Sequence, residues 1–466
     1  MQAENKLPRR FGLRTAIALL IGQVIAVGIF LTPAGMAKSV GSPFWLLLVW
    51  LIMGAMALCG ALCYSELAAR FPEAGGSYVY LREAYGKAPA FLYGWMVLLV
   101  LDPGLTATFA VGMTSYVGSL APLSPVGKQI FAIAAVFILG VINILGVGVG
   151  AKLLQVLTVL KIGTLFFIIF FGFSSGRGDW ANFTPFFAAP NNLFEALAGG
   201  MVGAFFAFAG WWEISRMAGE IRDPQKNLPK ALTIGVGLLT LIYVSTSAVF
   251  MYLVPTGNVT DDETFAAQAG EALFGAVGGK IFAAIVVVSV LGTLVAYLMA
   301  APRVYYAMAR DGLFFDSVAR LHPRFKTPDR ATLIQVILAA ILILSGDFKQ
   351  IISYFFFVVV FFIALTAGGL FVVQKRDFEG YKTPFFPFTP IVFLALTAVV
   401  LFLIGVGNPF QTLLGVLVVL LGLPVYYYFF RRKGDLKNGS QTSTVEPKLV
   451  ARESTAPAPK TEIGKR

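Results

Sequence analysis

Cysteine, histidine and charged residues are scarce in this sequence. Its 466 residues include two cysteines and one histidine, and Asp, Glu, Lys and Arg together make up 13% of the chain. A disulfide framework needs several spaced cysteines, and a zinc site needs Cys and His at short spacings, so neither is predicted. Soluble domains carry about 25% charged residues. The low charge therefore excludes an ordinary soluble protein, and no cofactor is predicted.

Hydrophobic residues, in contrast, make up 58% of the chain and are collected in long runs. A helix needs about 20 apolar residues to cross a bilayer. The runs predict an all-α integral membrane protein with about 12 transmembrane helices in the lipid bilayer. The predicted spans are 15–37, 44–67, 88–118, 128–148, 152–173, 193–218, 230–254, 275–308, 331–346, 349–374, 388–406 and 409–430.

The net charge of +12 comes from the loops between these runs. Lys and Arg are concentrated in alternate loops, beginning with residues 1–14, whereas the loop around Asp261 is acidic. Basic loops stay in the cytoplasm, so both termini are predicted to be cytoplasmic, in a cell (inner) membrane. The charge pattern therefore needs no nucleic acid partner. Residues 434–466 are poor in apolar residues and predict a disordered cytoplasmic tail.

The first apolar run, residues 15 to 36, differs from a simple membrane anchor. Its middle carries Gly22, Gln23 and Gly28, and we predict two half-helices separated by an extended break at Ala26-Val27-Gly28. A broken helix exposes N–H groups at one end and carbonyl groups at the other. These ends suit a carboxylate and an ammonium, the two groups of an amino acid. The alternative is a kinked span that binds no ligand.

The sixth run is interrupted in a similar way, by Gly199-Gly200, by Gly203 and by the stretch from Phe206 to Gly210. Paired interruptions at equivalent positions of two repeats indicate a transport site. We therefore predict that residues 15–374 form a ten-helix core of two inverted repeats. Residues 375–433 would add the eleventh and twelfth helices.

Four stretches in order resemble one family of membrane proteins. They are VGIF at 27–30, YSELAARFPEAGGSYVYLREAYG at 64–86, FAFAGWWEISRMAGEIRDPQKNLPKA at 206–231, and YAMARDGLF with HPRFKTP at 306–328. The sequence resembles the amino acid–polyamine–organocation superfamily of permeases, within it the L-type amino acid transporter-like branch. The resemblance implies a leucine-transporter-like fold, a 5+5 inverted repeat with broken helices 1 and 6. One departure is that the family's first break usually reads Gly-Ser-Gly, whereas this chain has Ala26-Val27-Gly28.

The resemblance also implies a substrate site built largely from backbone at the two breaks. N–H groups of residues 27–29 would bind the carboxylate, and carbonyls of residues 22–25 and 206–209 would bind the ammonium. Phe206 matches an aromatic gate, and the alternative is a packing aromatic. The predicted substrate-binding residues are Gly22, Gln23, Ile25, Ala26, Val27, Gly28, Ile29, Phe206, Ala207, Phe208, Ala209 and Gly210.

Lys161 lies in the middle of the fifth span, where a charged side chain is costly and indicates function. The resemblance implies that its ammonium replaces the sodium ion that related transporters hold between the first and eighth spans. We expect it to bond carbonyls near Gly22 and Gln23 and the hydroxyl of Ser289. It could also carry a proton. The alternative is a lysine that extends to the membrane surface.

Asp102 precedes Pro103 within the third span. It is a possible acid of the substrate pocket, where it would pair with a cation, move a proton or shape the pocket. It is equally suited to capping a helix that begins at Pro103. The sequence leaves these alternatives open.

The resemblance implies a secondary transporter that moves an L-amino acid by alternating access, and not an enzyme. We predict a neutral amino acid, because Asp102 and Glu213 are the only candidate acids of the pocket. Lys161 argues for sodium independence, which leaves proton symport, amino acid exchange or uniport. The alternative cargo is a polyamine or a cationic amino acid, and a channel fits the paired breaks less well. Cys59 and Cys63 both lie in an apolar run, so no disulfide-linked accessory subunit is predicted.

Overall fold

The computed structural model describes residues 7–26, 28–255, 265–345 and 356–430. Over these residues the chain is helical, and its only β-type pairing is an isolated bridge between Phe11 and Ile221. The predicted cytoplasmic tail, Val27, the acidic loop around Asp261 and the junction between the predicted spans 331–346 and 349–374 lie outside the described residues.

The helices of the first half are α1 (Leu13–Val24), α2 (Gly28–Val40), α3 (Pro43–Arg70), α4 (Ser77–Tyr85), α5 (Lys87–Met96), α6 (Asp102–Leu120), α7 (Pro125–Ile144) and α8 (Val147–Ser174). Those of the second half are α9 (Leu193–Phe208), α10 (Pro224–Leu253), α11 (Phe265–Phe274), α12 (Ala276–Ala300), α13 (Pro302–Arg310), α14 (Asp329–Ser345), α15 (Phe356–Val373), α16 (Phe388–Gly407), α17 (Pro409–Leu420) and α18 (Gly422–Val425). Short 3₁₀ helices lie at Trp180–Phe183, Trp211–Glu220 and Asp316–Ala319, and π-helical turns at Val97–Leu101 and Tyr426–Phe430.

Ten helical stretches in the described part of the chain are long and apolar enough to cross a membrane. The prediction of an all-α integral membrane protein is therefore confirmed. Two predicted spans fall outside this set because their helices are short: α1 has 12 residues and α14 has 17. The total of twelve spans, the inverted repeat and the segment boundaries of the chain stay predictions.

Large apolar side chains cover the outer surface of the helix bundle. On α8, for example, Val159 is 70% exposed and Phe170 is 75% exposed. Lipid solvates such side chains, so this surface is suited to the hydrocarbon of a bilayer. The opposite face of α8 is buried against α1, α10 and α12.

The two interrupted spans lie beside each other in the centre of the bundle. α2 packs along α9, and α1 contacts the 3₁₀ helix Trp211–Glu220. The neighbouring helices α3, α8, α10 and α12 surround this pair. The fold therefore brings both breaks together at the position where a buried site can form.

Both breaks have a local cause in the backbone. α1 ends at Val24, and Ile25 leaves the helix with φ −72° and ψ 86°. α9 ends at Phe208, Ala209 is extended, and Gly210 has φ +104°, in the left-handed region that favours glycine. The predicted interruption of spans 1 and 6 is therefore confirmed.

Candidate functional site

The C-terminal end of α1 is bound by a lysine from another helix. The ammonium of Lys161 on α8 donates to the carbonyl oxygens of Gly22 (3.2 Å) and Ile25 (2.6 Å), and to the hydroxyl of Thr293 on α12 (3.1 Å). The last carbonyls of a helix have no partner within that helix. The lysine side chain is 2% exposed, so its three donors are met entirely by the protein.

The structure corrects two details predicted for Lys161. Its second carbonyl partner is Ile25 and not Gln23, because Ile25 follows the end of α1 and its carbonyl is free for outside donors. Its hydroxyl partner is Thr293 and not Ser289. Ser289 lies one turn earlier on the same face of α12, and its hydroxyl donates to the Ile25 carbonyl instead (3.4 Å).

Two glycines, Gly22 and Gly292, allow α1 and α12 to pack closely on α8 near Lys161. A Cβ added at Gly22 would lie 2.7 Å from Leu154 Cδ1, and one added at Gly292 would lie 3.3 Å from Lys161 Cε. Alanine at Gly22 would therefore require the Leu154 side chain to shift. The close approach of α1, α8 and α12 depends on these small residues, as is common between membrane helices.

The two breaks are linked by one tyrosine hydroxyl and by a close backbone contact. The hydroxyl of Tyr243 on α10 lies within hydrogen-bond distance of the carbonyl of Val24 (3.3 Å) and of Ala207 (3.0 Å). A Cβ added at Gly28 would lie 2.8 Å from Ala207 Cα. The start of α2 therefore packs against the last turn of α9 without room for a larger residue.

A small cavity lies where the breaks meet. Its walls combine residues of both breaks with side chains of α6 and α12. They are Gln23, Val24, Ala26, Gly28, Leu105, Phe109, Phe206, Ala209, Gly210, Trp212, Glu213 and Tyr297. Six of the twelve predicted substrate-binding residues thus line it.

Five of the other predicted residues do not line the cavity. Ile25 and Ile29 are fully buried, Gly22 faces α8, and Ala207 packs against Gly28. Phe208 packs on Trp50 and Tyr243, at ring distances of 6.0 and 5.1 Å. Since a helix turns about 100° per residue, Phe208 points away from the side on which Phe206 lines the cavity.

Asp102 forms the centre of a buried polar cluster next to this cavity. One of its oxygens accepts hydrogen bonds from Arg216 Nη1 (2.8 Å) and the Tyr297 hydroxyl (2.9 Å), and the other accepts one from the Tyr305 hydroxyl (2.8 Å). Of the alternatives for Asp102, pairing with a cation is the one observed. It caps no helix, because the π-helical turn continues into α6 and the N-cap position of α6 is Leu101.

Arg216 pairs with a second carboxylate. Its Nε lies 2.6 Å from Oε2 of Glu213, three residues earlier in the same 3₁₀ helix. The side chains of Arg216 and Glu213 are each 1% exposed. One guanidinium thus faces two carboxylates, Asp102 and Glu213, in a site closed to solvent.

A second group of charges lies at the other end of the central helices. Arg303 pairs with Glu220, Arg82 with Asp311, and Arg70 with Glu66. The hydroxyl of Tyr78 also donates to Asp311 (2.8 Å). Burial and the nearby Asp311 raise the pKa of Tyr78 well above its ordinary value, so its hydroxyl keeps the proton that it donates.

The sequence did not single out Thr293, Tyr243, Arg216 or Tyr297. Arg216 had a detectable signal, since it is a charged residue in an apolar stretch three positions after Glu213. The two tyrosines and the threonine had none, because such residues are common in membrane helices. Within the described residues, no group of His, Cys, Asp and Glu side chains is arranged to hold a metal ion.

The chain is similar in sequence to a known protein family and to several known proteins. The profile of a family described as amino acid permease matches residues 11–424. The chain is similar to the serine/threonine exchanger of Bacillus subtilis (strain 168), with 30% identity over 438 residues, 93% of this chain and 99% of that protein. It is similar to the cystine/glutamate transporter of Homo sapiens, with 27% identity over 440 residues, 92% of this chain and 86% of that protein. It is also similar to the large neutral amino acids transporter small subunit 2 of Homo sapiens, with 28% identity over 443 residues, 90% of this chain and 80% of that protein.

Proposed function

Because the chain belongs to the amino acid permease family, we propose that it exchanges neutral L-amino acids across the cell membrane by alternating access, without sodium. It is a membrane transporter and not an enzyme. The observation that carries the proposal is the meeting of two interrupted spans around one buried cavity. Helix ends that face each other inside a membrane bind the charged ends of a small zwitterion.

The carboxylate of the substrate is assigned to the start of α2. The first N–H groups of a helix, here those of Gly28 and Ile29, have no partner within the helix and attract an anion. Gly28 lines the cavity and brings this helix end next to α9. Val27, which replaces the serine usual in the family, belongs to the same predicted set.

The ammonium of the substrate is assigned to carbonyls that the protein's own donors leave available. The carbonyls of Gly22 and Ile25 accept from Lys161, and that of Val24 accepts from Tyr243. The Gln23 carbonyl oxygen faces the second break, since a Cβ added at Gly210 would lie 3.6 Å from it. We therefore assign the ammonium to the carbonyl of Gln23 and to carbonyls at the end of α9 other than that of Ala207, which accepts from Tyr243.

Sodium independence is supported by the position of Lys161. Carbonyl oxygens at the C-terminal end of a half-helix bind a monovalent cation because of their negative partial charge. Here the ammonium of Lys161 supplies that charge, 2.6 Å from the Ile25 carbonyl. A sodium ion would have to displace the lysine from a site in which all three of its donors are paired.

Neutral cargo is supported by the pairing of the two acids. Asp102 accepts from Arg216, Tyr297 and Tyr305, so its charge is paired and most of its acceptor sites are occupied by the protein. Glu213 lies 2.6 Å from the Arg216 guanidinium, which would repel a second full positive charge. A polyamine or cationic amino acid is the weaker alternative for this reason.

Exchange is distinguished from proton symport by uptake into liposomes that contain the purified protein. Labelled neutral amino acids are offered to vesicles that are empty or preloaded with unlabelled amino acid, with and without an inward proton gradient. We expect rapid uptake only into preloaded vesicles, independent of external sodium. Proton-driven uptake into empty vesicles would identify a symporter, with Lys161 as the candidate proton carrier. Full dependence on sodium would contradict the proposed role of Lys161.

The proposal also includes the membrane orientation of the chain and its independence of a second subunit. We propose that both termini are cytoplasmic, from the basic N-terminal and alternate loops. We also propose that the chain works without a disulfide-linked subunit. Its two cysteines, Cys59 and Cys63, both lie within α3, where Cys63 is buried and Cys59 is half-buried, so neither is placed for a bond to an external chain.

A further inference from the structure

Two of the polar side chains that line the cavity, Gln23 and Glu213, each present a hydrogen-bond acceptor without a donor. Gln23 Nε2 donates to the carbonyl of Ala296 (3.4 Å), and its Oε1 has no hydrogen-bond donor among the described residues. The same is true of Oε1 of Glu213, whereas its Oε2 lies 2.6 Å from Arg216 Nε. Gln23 is 2% exposed and Glu213 is 1% exposed, so bulk water does not replace the missing donors. Buried acceptors of this kind are costly unless a ligand completes them.

Glu213 is also an additional ionisable group beside an ion pair that is already balanced. Asp102 and Arg216 already form a balanced pair, with Tyr297 and Tyr305 as further donors to Asp102 and Tyr93 as a contact of Arg216. Glu213 adds a second negative charge to this pair in the interior of a membrane protein. Ionisable groups are retained there at a cost and mark functional positions.

We propose that Glu213 determines substrate specificity by accepting a hydrogen bond from a hydroxyl or amide group on the side chain of the transported amino acid. The inference rests on the proposed function and names its substrate class, neutral amino acids with a donor-bearing side chain. The carboxylate of the substrate is held at the start of α2, and its ammonium is held by carbonyls at the two helix breaks. The side chain then extends toward the wall formed by Glu213.

The other groups around Glu213 restrict what this side chain can be. Leu105, Phe109 and the ring of Trp212 make most of that wall apolar, so a single donor is accommodated and not an extended polar group. Arg216, 2.6 Å from Glu213, disfavours a cationic side chain. A purely apolar side chain would fit the walls but would leave Oε1 of Glu213 unpaired, which is the larger penalty in a dry site.

Threonine and valine test the proposal because they have nearly the same shape and differ by a hydroxyl in place of a methyl group. We measure initial exchange rates of both amino acids at low concentration in the liposome assay. The wild-type protein should transport threonine about tenfold faster or more, as expected for a hydrogen bond to a charged acceptor. Glu213→Met should lower this ratio to about one through loss of threonine transport. Glu213→Gln, whose amide oxygen still accepts, should give an intermediate ratio.

Glu220→Gln is the matched control, since Glu220 is a buried carboxylate of the same 3₁₀ helix that pairs with Arg303 instead of lining the cavity. Its threonine-to-valine ratio should equal that of the wild type, whatever its absolute rate.

Equal rates for threonine and valine in the wild type would overturn the proposal, and this comparison needs no variant. An unchanged ratio in Glu213→Gln, with altered dependence on a proton gradient, would also overturn it and assign Glu213 to proton transfer. Absence of any amino acid uptake by the wild type would instead contradict the proposed function.

Discussion

Lys161 shows how a single buried charge is stabilised in this protein. Its ammonium has three donors, and the structure supplies three acceptors, two carbonyls at the end of α1 and the Thr293 hydroxyl. A lysine in the middle of a span is otherwise expensive. The favourable electrostatics of a helix C-terminus reduce this cost, because the carbonyls carry a partial negative charge. The break in the first span and the lysine therefore depend on each other.

Replacement of Lys161 by alanine should abolish amino acid exchange. The substitution removes the charged donor of both carbonyls. The Ile25 carbonyl keeps the Thr293 hydroxyl as a donor, whereas the loss at the buried Gly22 carbonyl costs about 1–3 kcal/mol. We expect less than a tenth of wild-type uptake in liposomes, not restored by sodium. Lys152→Ala is the matched control, since Lys152 lies on the exposed side of α8 and should leave uptake unchanged. Unimpaired uptake by Lys161→Ala would show that the lysine has no part in transport.

Replacement of Tyr243 by phenylalanine tests the link between the breaks. The hydroxyl contacts the Val24 and Ala207 carbonyls, one from each interrupted span. Its loss should lower stability by about 1–3 kcal/mol and slow exchange several-fold, because the two half-helices lose their common donor. Thermal unfolding in detergent and liposome uptake measure the two effects. Tyr252→Phe on the same helix, at the Trp180 ring, should change neither; a similar loss in both variants would contradict a specific role for Tyr243.

At the scale of the helix, small residues decide how closely the broken spans approach. Gly28 approaches the backbone of α9 too closely for a methyl group, whereas Gly22 and Gly292 lie against side chains of α8 that would have to shift to admit one. Gly210 instead supplies a backbone conformation, φ +104°, that other residues rarely adopt. The usual Gly-Ser-Gly of the family thus retains here only Gly28, which packs on Ala207.

Gly28→Ala should abolish or strongly reduce uptake, whereas Gly35→Ala in the same helix should leave it unchanged. A Cβ at Gly28 would lie 2.8 Å from Ala207 Cα, a backbone atom that cannot move without shifting α9. Gly35 has no atom within 4 Å of an added Cβ. Overpacking of this kind costs about 1–3 kcal/mol. Equal uptake by the two variants, measured at matched protein content, would show that the contact between α2 and α9 is not needed for transport.

At the scale of the whole molecule, the charged residues are divided between two locations. The Asp102–Arg216–Glu213 cluster lies beside the cavity, whereas the pairs Arg303–Glu220, Arg82–Asp311 and Arg70–Glu66 link helix ends. The second group is suited to holding one face closed while the other opens. Partly exposed pairs such as Arg82–Asp311 are individually weak, which favours reversible opening.

The membrane orientation can be tested with introduced cysteines. In a protein with Cys59 and Cys63 replaced by alanine, we expect Asn191→Cys to react with an impermeant maleimide added to intact cells. Arg324→Cys should react only after the membrane is permeabilised, since its basic loop is predicted to be cytoplasmic. Both positions are exposed, so accessibility depends on the side of the membrane. The reverse labelling pattern would invert the topology and place both termini outside.

The sequence by itself determined the helical membrane class and the positions of the two breaks. Apolar runs and glycine placement act locally, so composition and spacing are sufficient to predict them. It also pointed to Lys161 and Asp102, because a charge inside an apolar run is recognisable without any partner.

Only the tertiary structure decided what these residues contact. Lys161 and Ile25 are 136 residues apart, and Tyr243 and Val24 are 219 apart, so no local pattern joins them. The choice of Thr293 over Ser289, the pairing of Asp102 with Arg216 and the direction of Phe208 each depend on how helices rotate against their neighbours. Such rotation follows from packing across the whole bundle, and a one-residue difference turns a side chain by about 100°.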